Sequence, residues 1–276
     1  MEPIEIAYGV LVFILSLCIG SFLNVVIYRL PNKMSLSKPA SHCPTCNNPI
    51  KWYDNIPILS YLFLGGKCRH CKEKISIRYL IVEAMTAVIA TLIYIRFGLT
   101  PLSFLSIIVF YCFVAIFFID AKHYEIPDSL VIIIALVGIV SIFIAPLDYA
   151  KGDFSITYVD KLISLAVSLA LLVLVMLFEK ILKRELIGGG DIKLFAAVGL
   201  FIGWQLALLG VMLAAIIGVL VEIPFSKLLK REKAEGSNSS VLPFGPYLVI
   251  GFMISLLFGL NILSFYMSMI EGVLYA

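Results

Sequence analysis

Two aspartates in this chain stand in apolar surroundings that ordinary folding does not require. Asp191 follows three glycines in LIGGGDIKLF, and Asp120 closes the apolar run in FFIDAKHYEIPDSL. A helix C-terminus disfavours an anion, so Asp120 serves no capping purpose there. Two carboxylates that approach to hydrogen-bond distance cannot both ionise and must share a proton. The ionised one can take a proton from water, which then attacks an amide carbonyl. The protonated one can hydrogen-bond the developing oxyanion. Gly188, Gly189 and Gly190 would let a peptide backbone pass close to Asp191 without side-chain obstruction. Taken alone, GGGD also reads as a loop leading into a capped helix; Asp120 on the same side turns the reading toward chemistry. Asp128, between Pro127 and Ser129, reads as an ordinary helix start, and His123 as a solvated loop residue.

Four of the six cysteines form two C-x-x-C pairs, Cys43 with Cys46 and Cys68 with Cys71, with 21 residues between the pairs. This pattern fits a tetrahedral structural zinc, one per chain, and two complete thiolate pairs leave no need for His42 or His70 as ligands. A closed four-thiolate site would hold together a loop of roughly 50 residues, too small for a core of its own. Cys18 and Cys112 fall inside apolar runs and read as inert packing.

The elements that must position these groups are membrane spans. Of the 276 residues, 61% are hydrophobic and 14% charged, with mean hydropathy +1.05. Soluble domains carry roughly 45–50% apolar and about 25% charged residues. A span needs about 20 apolar residues, and candidate runs occupy residues 6–28, 79–95, 102–119, 129–145, 162–178, 194–223 and 241–260. The first follows Glu2 and Glu5 and precedes Arg29 and Lys33, so it reads as a retained helix with its N-terminus outside rather than a cleaved signal. The sixth run is too long for one helix. Turning it near Gly203 and Trp204 keeps Lys227, Lys230, Arg231 and Lys233 inside, as the positive-inside rule prefers.

The fold class is therefore an all-α polytopic membrane protein of about eight transmembrane helices with both termini outside, bearing a small cytoplasmic zinc-ribbon-like loop. Arg96, Lys151 and Lys161 are then the only basic residues outside; the other 18 of the 21 Lys and Arg lie inside. In a cytoplasmic loop disulfides are disfavoured. Asp191 opens a leg of roughly 18 Å, shorter than the roughly 30 Å apolar core of a bilayer, so it should lie somewhat below the cytoplasmic surface. Residues 1–28 read as a first transmembrane helix, 29–78 as the cysteine loop and 79–276 as the bundle carrying the acids. No pattern suggests nucleic acid as a partner; the lipid bilayer is one.

Six blocks give the chain a wider resemblance. They are GSFLNVVIYRLP (Gly20–Pro31), the cysteine tetrad, NIPILSYLFLGGKC (Asn55–Cys68), IDAKHYEIPD (Ile119–Asp128), GGGDIKL (Gly188–Leu194) and PFGPYL (Pro243–Leu248). In this order and over nearly the whole length, the chain resembles the bacterial type IV prepilin peptidases, which are leader peptidases and N-methyltransferases. Leu80 departs from the family's usual proline and touches no chemistry.

The resemblance implies cleavage of the short basic leader of prepilins and pseudopilins at the cytoplasmic face of the inner membrane. It also implies N-methylation of the new terminus from S-adenosylmethionine. It places the chain in the GxGD aspartyl class, whose acids match Asp120 and Asp191. Gly66 matches the glycine linked to methyl transfer, and the cysteine loop is associated with that half. No glycine fingerprint of a nucleotide-binding βαβ unit is present, so a methyl donor would have to lie between loop and bundle. Glu83 and Trp52 could line such a site. Alternatively, Glu83 pairs with Arg78 and Trp52 anchors the loop at the membrane interface. Two rival classes stay open on the sequence: a proton- or cation-coupled transporter and a non-catalytic membrane scaffold with a zinc loop.

Overall fold

The computed structural model describes residues 3–144, 158–182, 188–225 and 243–274. Lys151 and the basic run at 227–233 lie outside the described residues. Among the described residues the secondary structure is helical, with two isolated β-bridges and no strand. The helices are α1 (Pro3–Arg29), α2 (Leu59–Phe63), α3 (Ile77–Phe97), α4 (Pro101–His123), α5 (Asp128–Ile144), α6 (Tyr158–Leu182), α7 (Gly189–Ile202), α8 (Trp204–Phe225) and α9 (Gly245–Leu274), with a 3-10 turn at Trp52–Asn55.

Among the described residues, five helical stretches are long and apolar enough to cross a membrane: Pro3–Arg29, Ile77–Phe97, Pro101–His123, Trp204–Glu222 and Gly245–Ile270. Asp128–Phe143 is apolar but shorter. The break foreseen in the long sixth run falls at Gly203, which ends α7 with φ +85 and leaves a single residue before α8. At about 1.5 Å per residue, α7 is about 21 Å long.

The chain forms two compact units, residues 1–115 and 116–276, with α4 running from the first into the second. In the first, α1 packs along α3. Gly20 permits the close crossing, since a Cβ there would meet Glu83 Cα at 2.8 Å and Thr86 Cβ at 3.1 Å. Asn24 bridges the pair by donating to the Tyr79 carbonyl at 3.2 Å. Arg29 is buried and donates to the carbonyls of Ser35 and Pro39, which folds the segment after α1 back on the helix end.

In the second unit, α5 and α6 pack against α7, and α8 packs against α9. Nine residues of α7 are buried, which makes this short helix the centre of its unit. Lys161, counted above among the outer basic residues, is buried rather than solvated and donates to Ser141 Oγ at 2.7 Å. Asp160 beside it accepts from Trp204 Nε1 and Gln205 Nε2 at 3.2 and 2.6 Å, tying α6 to the first turn of α8.

Candidate active site

Asp120 lies in the last turn of α4 and Asp191 in the first turn of α7, and both line one cleft of about 480 Å³. The cleft is completed by the connection Tyr124–Asp128, by Gly188, Gly189 and Gly190, and by Lys193. The two acids are within electrostatic reach of each other. The sharp return after α4 uses Tyr124 at φ +56, with its N–H on the Asp120 carbonyl at 3.0 Å. Pro127 then ends the connection and α5 begins at Asp128, as a Pro-Asp pair before an apolar run favours.

Asp120 is only 5% exposed and its Oδ2 accepts the backbone N–H of Gly245 at 3.0 Å. Gly245 is the first residue of α9. A Cβ there would stand 2.7 Å from Asp120 Oδ2 and 2.8 Å from its Cγ, so no side chain fits without moving the carboxyl. Around Asp191, a Cβ at Gly188 would meet Oδ2 at 3.0 Å and one at Gly190 would meet Ile126 Cβ at 3.0 Å. At Gly189 it would meet nothing within 4 Å. Asp128 also faces the cleft, with its exposed carboxylate paired to Lys193 Nζ at 2.8 Å.

Gly245 escaped sequence reasoning as a site residue. Its signal was present in the glycine before Pro246 at a helix start, but the partner lies 125 residues away.

The cysteine tetrad closes as its spacing predicts. The four Sγ atoms of Cys43, Cys46, Cys68 and Cys71 lie within 4.8 Å of one another and could hold a metal ion. Each pair sits in the same kind of turn. Asn47 donates to the Cys43 carbonyl and Lys72 to the Cys68 carbonyl, while Cys43 and Cys68 donate to Asn48 and Glu73. Asn47 and Lys72 occupy the left-handed region at φ +55 and +60. Hydrogen bonds from the backbone N–H groups of Cys46 and Thr45 bring the Cys43 thiol down to about 6, which favours a ligating thiolate. His42 stays outside the cluster, its Nδ1 3.0 Å from the Ala40 carbonyl oxygen. Arg69 clamps Asp54 with both Nε and an NH2 group, and this bond holds the Asp54 carboxyl below its usual range. Cys112 is buried, and Cys18 is on the exposed face of α1.

Glu83 does not pair with Arg78. Its Oε2 accepts the Ile58 N–H at 2.8 Å, and Arg78 lies over the Tyr79 ring instead, 5.5 Å from the centroid. Ile58 needs that anchor because it adopts φ +61, a conformation costly for a β-branched residue. Gly66, at φ +66, faces Tyr61: a Cβ there would meet the hydroxyl at 3.0 Å and Cζ at 3.1 Å. Trp52 is 80% exposed.

Comparison with known proteins covers both units. Residues 14–97 match the model described as the bacterial peptidase A24 N-terminal domain, and residues 107–223 that of the type IV leader peptidase family. A prepilin leader peptidase/N-methyltransferase of Pseudomonas aeruginosa is 32% identical over 95% of this chain and 94% of its own. Those of Vibrio cholerae and Aeromonas salmonicida are 36% and 34% identical, over 91% and 97% of this chain and 96% and 98% of their own.

The chain belongs to the type IV leader peptidase family. No solved structure matches it. The first family model takes in α1 from residue 14 onward, the cysteine loop and α3, and the second takes in both acids. Gly245 lies beyond the second model's last residue, 223.

Proposed function

We propose that this chain is a membrane-embedded aspartyl endopeptidase that removes the leader of type IV prepilins and pseudopilins and N-methylates the new terminus. The observation that carries the reading is the convergence of Asp120 and Asp191 on one cleft, in a chain of the leader peptidase family. One carboxylate acts as base on the attacking water, and the other, protonated, donates to the carbonyl oxygen of the scissile amide. Gly245 holds Asp120 from behind, and Gly189, where an added Cβ would meet nothing within 4 Å, leaves room for an extended peptide. Neither step needs a metal. Ion transport, the alternative from another class, has no support in the family to which the chain belongs.

Eight spans, with the cysteine loop and the cleft at the cytoplasmic face of the inner membrane, satisfy the charge distribution best. The natural division is residues 1–28, the loop 29–78 for methyl transfer, and the bundle 79–276 for proteolysis. Zinc suits the four sulfurs. A tetrahedral ion with Zn–S bonds of about 2.3 Å places its sulfurs about 3.8 Å apart, and Cys43 and Cys71 Sγ are 3.8 Å apart. The methyl donor is S-adenosylmethionine, met by the loop surface that carries Gly66. Glu83, with its carboxylate buried on Ile58 N–H, braces that loop rather than meeting the donor.

The test is a set of three substitutions in purified enzyme given a prepilin. Asp120→Asn and Asp191→Asn should each abolish cleavage while leaving membrane insertion and methylation of an already cleaved pilin intact. Asp128→Asn should still cut, because an exposed pair such as Asp128–Lys193 contributes about 1 kcal/mol or less. Normal cleavage by Asp120→Asn together with a dead Asp128→Asn would move the reaction to the wrong acid for this proposal.

A further inference from the structure

The segment between the two cysteine pairs exposes apolar side chains on a scale that a water-facing loop does not sustain. Phe63 is 87% exposed and Trp52 is 80% exposed. Leu59, Leu62 and Phe63 stand at i, i+3 and i+4 of α2 and so share one face. The 3-10 turn that carries Trp52 packs against α2, so these exposed side chains lie on neighbouring elements.

The surroundings of this surface are cationic. Residues 29–78 carry nine Lys and Arg against two acids. Lys51, Lys67, Lys72 and Lys74 are all exposed. Lys51 Nζ and the Arg69 guanidinium both lie over the Tyr53 ring, 5.7 and 5.6 Å from its centroid. Exposed Trp, Phe and Leu flanked by lysines form the composition that settles in the headgroup layer of an anionic membrane.

The tether decides where this surface sits. Ile58, directly before α2, is fastened through its N–H to Glu83 Oε2 at 2.8 Å. Glu83 is in the second turn of α3, one of the membrane-crossing helices. The segment that carries the apolar face is therefore fastened to the N-terminal part of α3, a helix long and apolar enough to cross a membrane, while the cysteine pairs flank it in sequence.

We propose that residues 52–63 dock on the anionic lipid surface of the same bilayer, with Trp52, Leu59, Leu62 and Phe63 in the headgroup–acyl boundary and the flanking lysines at lipid phosphates. The cysteine loop is then a membrane-laid element rather than a free cytosolic finger. This docking does not depend on which acids cut the substrate.

Trp52 and Trp204 are the chain's two tryptophans, so a Trp204→Phe enzyme reports on Trp52 alone. In vesicles of phosphatidylcholine and phosphatidylglycerol its emission should be blue-shifted. With acyl chains brominated it should lose about half its intensity, as for a ring about 5–10 Å into the boundary. Omitting phosphatidylglycerol or raising salt should weaken the quenching, because the lysine attraction is screened.

An indole that emits as in water, quenched by acrylamide and untouched by brominated chains, overturns the proposal. So does a blue shift that arises only on adding a prepilin, which would assign the face to substrate. Hydrogen exchange of the wild-type chain repeats the test without substitution. Residues 52–63 should exchange more slowly in anionic than in zwitterionic vesicles, and equal exchange in both counts against the docking.

Discussion

Replacing Gly245 with alanine asks whether the first turn of α9 holds Asp120 in working position. The added Cβ would lie 2.7 Å from Oδ2, where ordinary contact begins at 3.4 Å, so the carboxyl must retreat by about 0.7 Å. The retreat also stretches the 3.0 Å hydrogen bond from the Gly245 N–H. Misplacing a reacting group by about 1 Å can cost about 100-fold. We therefore expect kcat for leader cleavage to fall about 10- to 100-fold, or about 1.4–2.7 kcal/mol of transition-state stabilisation. KM should stay near its wild-type value, because the peptide track past Gly188–Gly190 is untouched. The assay is steady-state cleavage of a prepilin by enzyme in lipid vesicles, with methylation of a pre-cleaved pilin as a second readout. Methylation, which the proposed function assigns to the loop 29–78, should hold. Cleavage within about twofold of wild type would refute the reasoning. Parallel loss of both activities would equally refute it, by showing misfolding in place of a local displacement.

Other consequences are open to the same assays. Stripping the metal with a chelator, or Cys43→Ser, should remove bound zinc and impair methylation before proteolysis, checked by metal analysis beside both activities. Glu83→Ala frees the Ile58 N–H and removes the brace that holds φ +61; faster hydrogen exchange in residues 56–63 and slower methylation should follow, with cleavage retained. Gly66→Ala strains a φ of +66 and drives a methyl against the Tyr61 ring, so methylation should fall while zinc content and cleavage persist.

Patterns local in sequence were legible. The apolar runs marked the helices, including the break at Gly203, because a run of 30 residues is too long for one helix and a turn there keeps Lys227, Lys230, Arg231 and Lys233 inside. The C-x-x-C spacing announced a cluster because two turns of one type present sulfurs in one geometry. Asp120 stood out by its cost at a helix end. What stayed hidden is backbone chemistry at long range. Nothing in the types of Glu83 and Ile58 says that a carboxylate will take a main-chain N–H, and a charge-based reading sends Glu83 to the nearer Arg78. The burial of Lys161 was hidden too, since its type and place do not point to the Ser141 hydroxyl that receives it. Gly245 could be read as a helix start but not as a donor to Asp120.

The three glycines before Asp191 look equivalent as letters but not as positions. Gly188 is closed by the acid's own Oδ2 and Gly190 by Ile126, while Gly189 opens on empty space. A side chain at the middle position therefore extends into the cleft without pressing on the acid, whereas one at either neighbour pushes on Asp191 itself or on the connection that carries Ile126. The three letters thus divide the work: the outer two let the backbone close around the carboxyl, and the middle one sets how much of the cleft stays open.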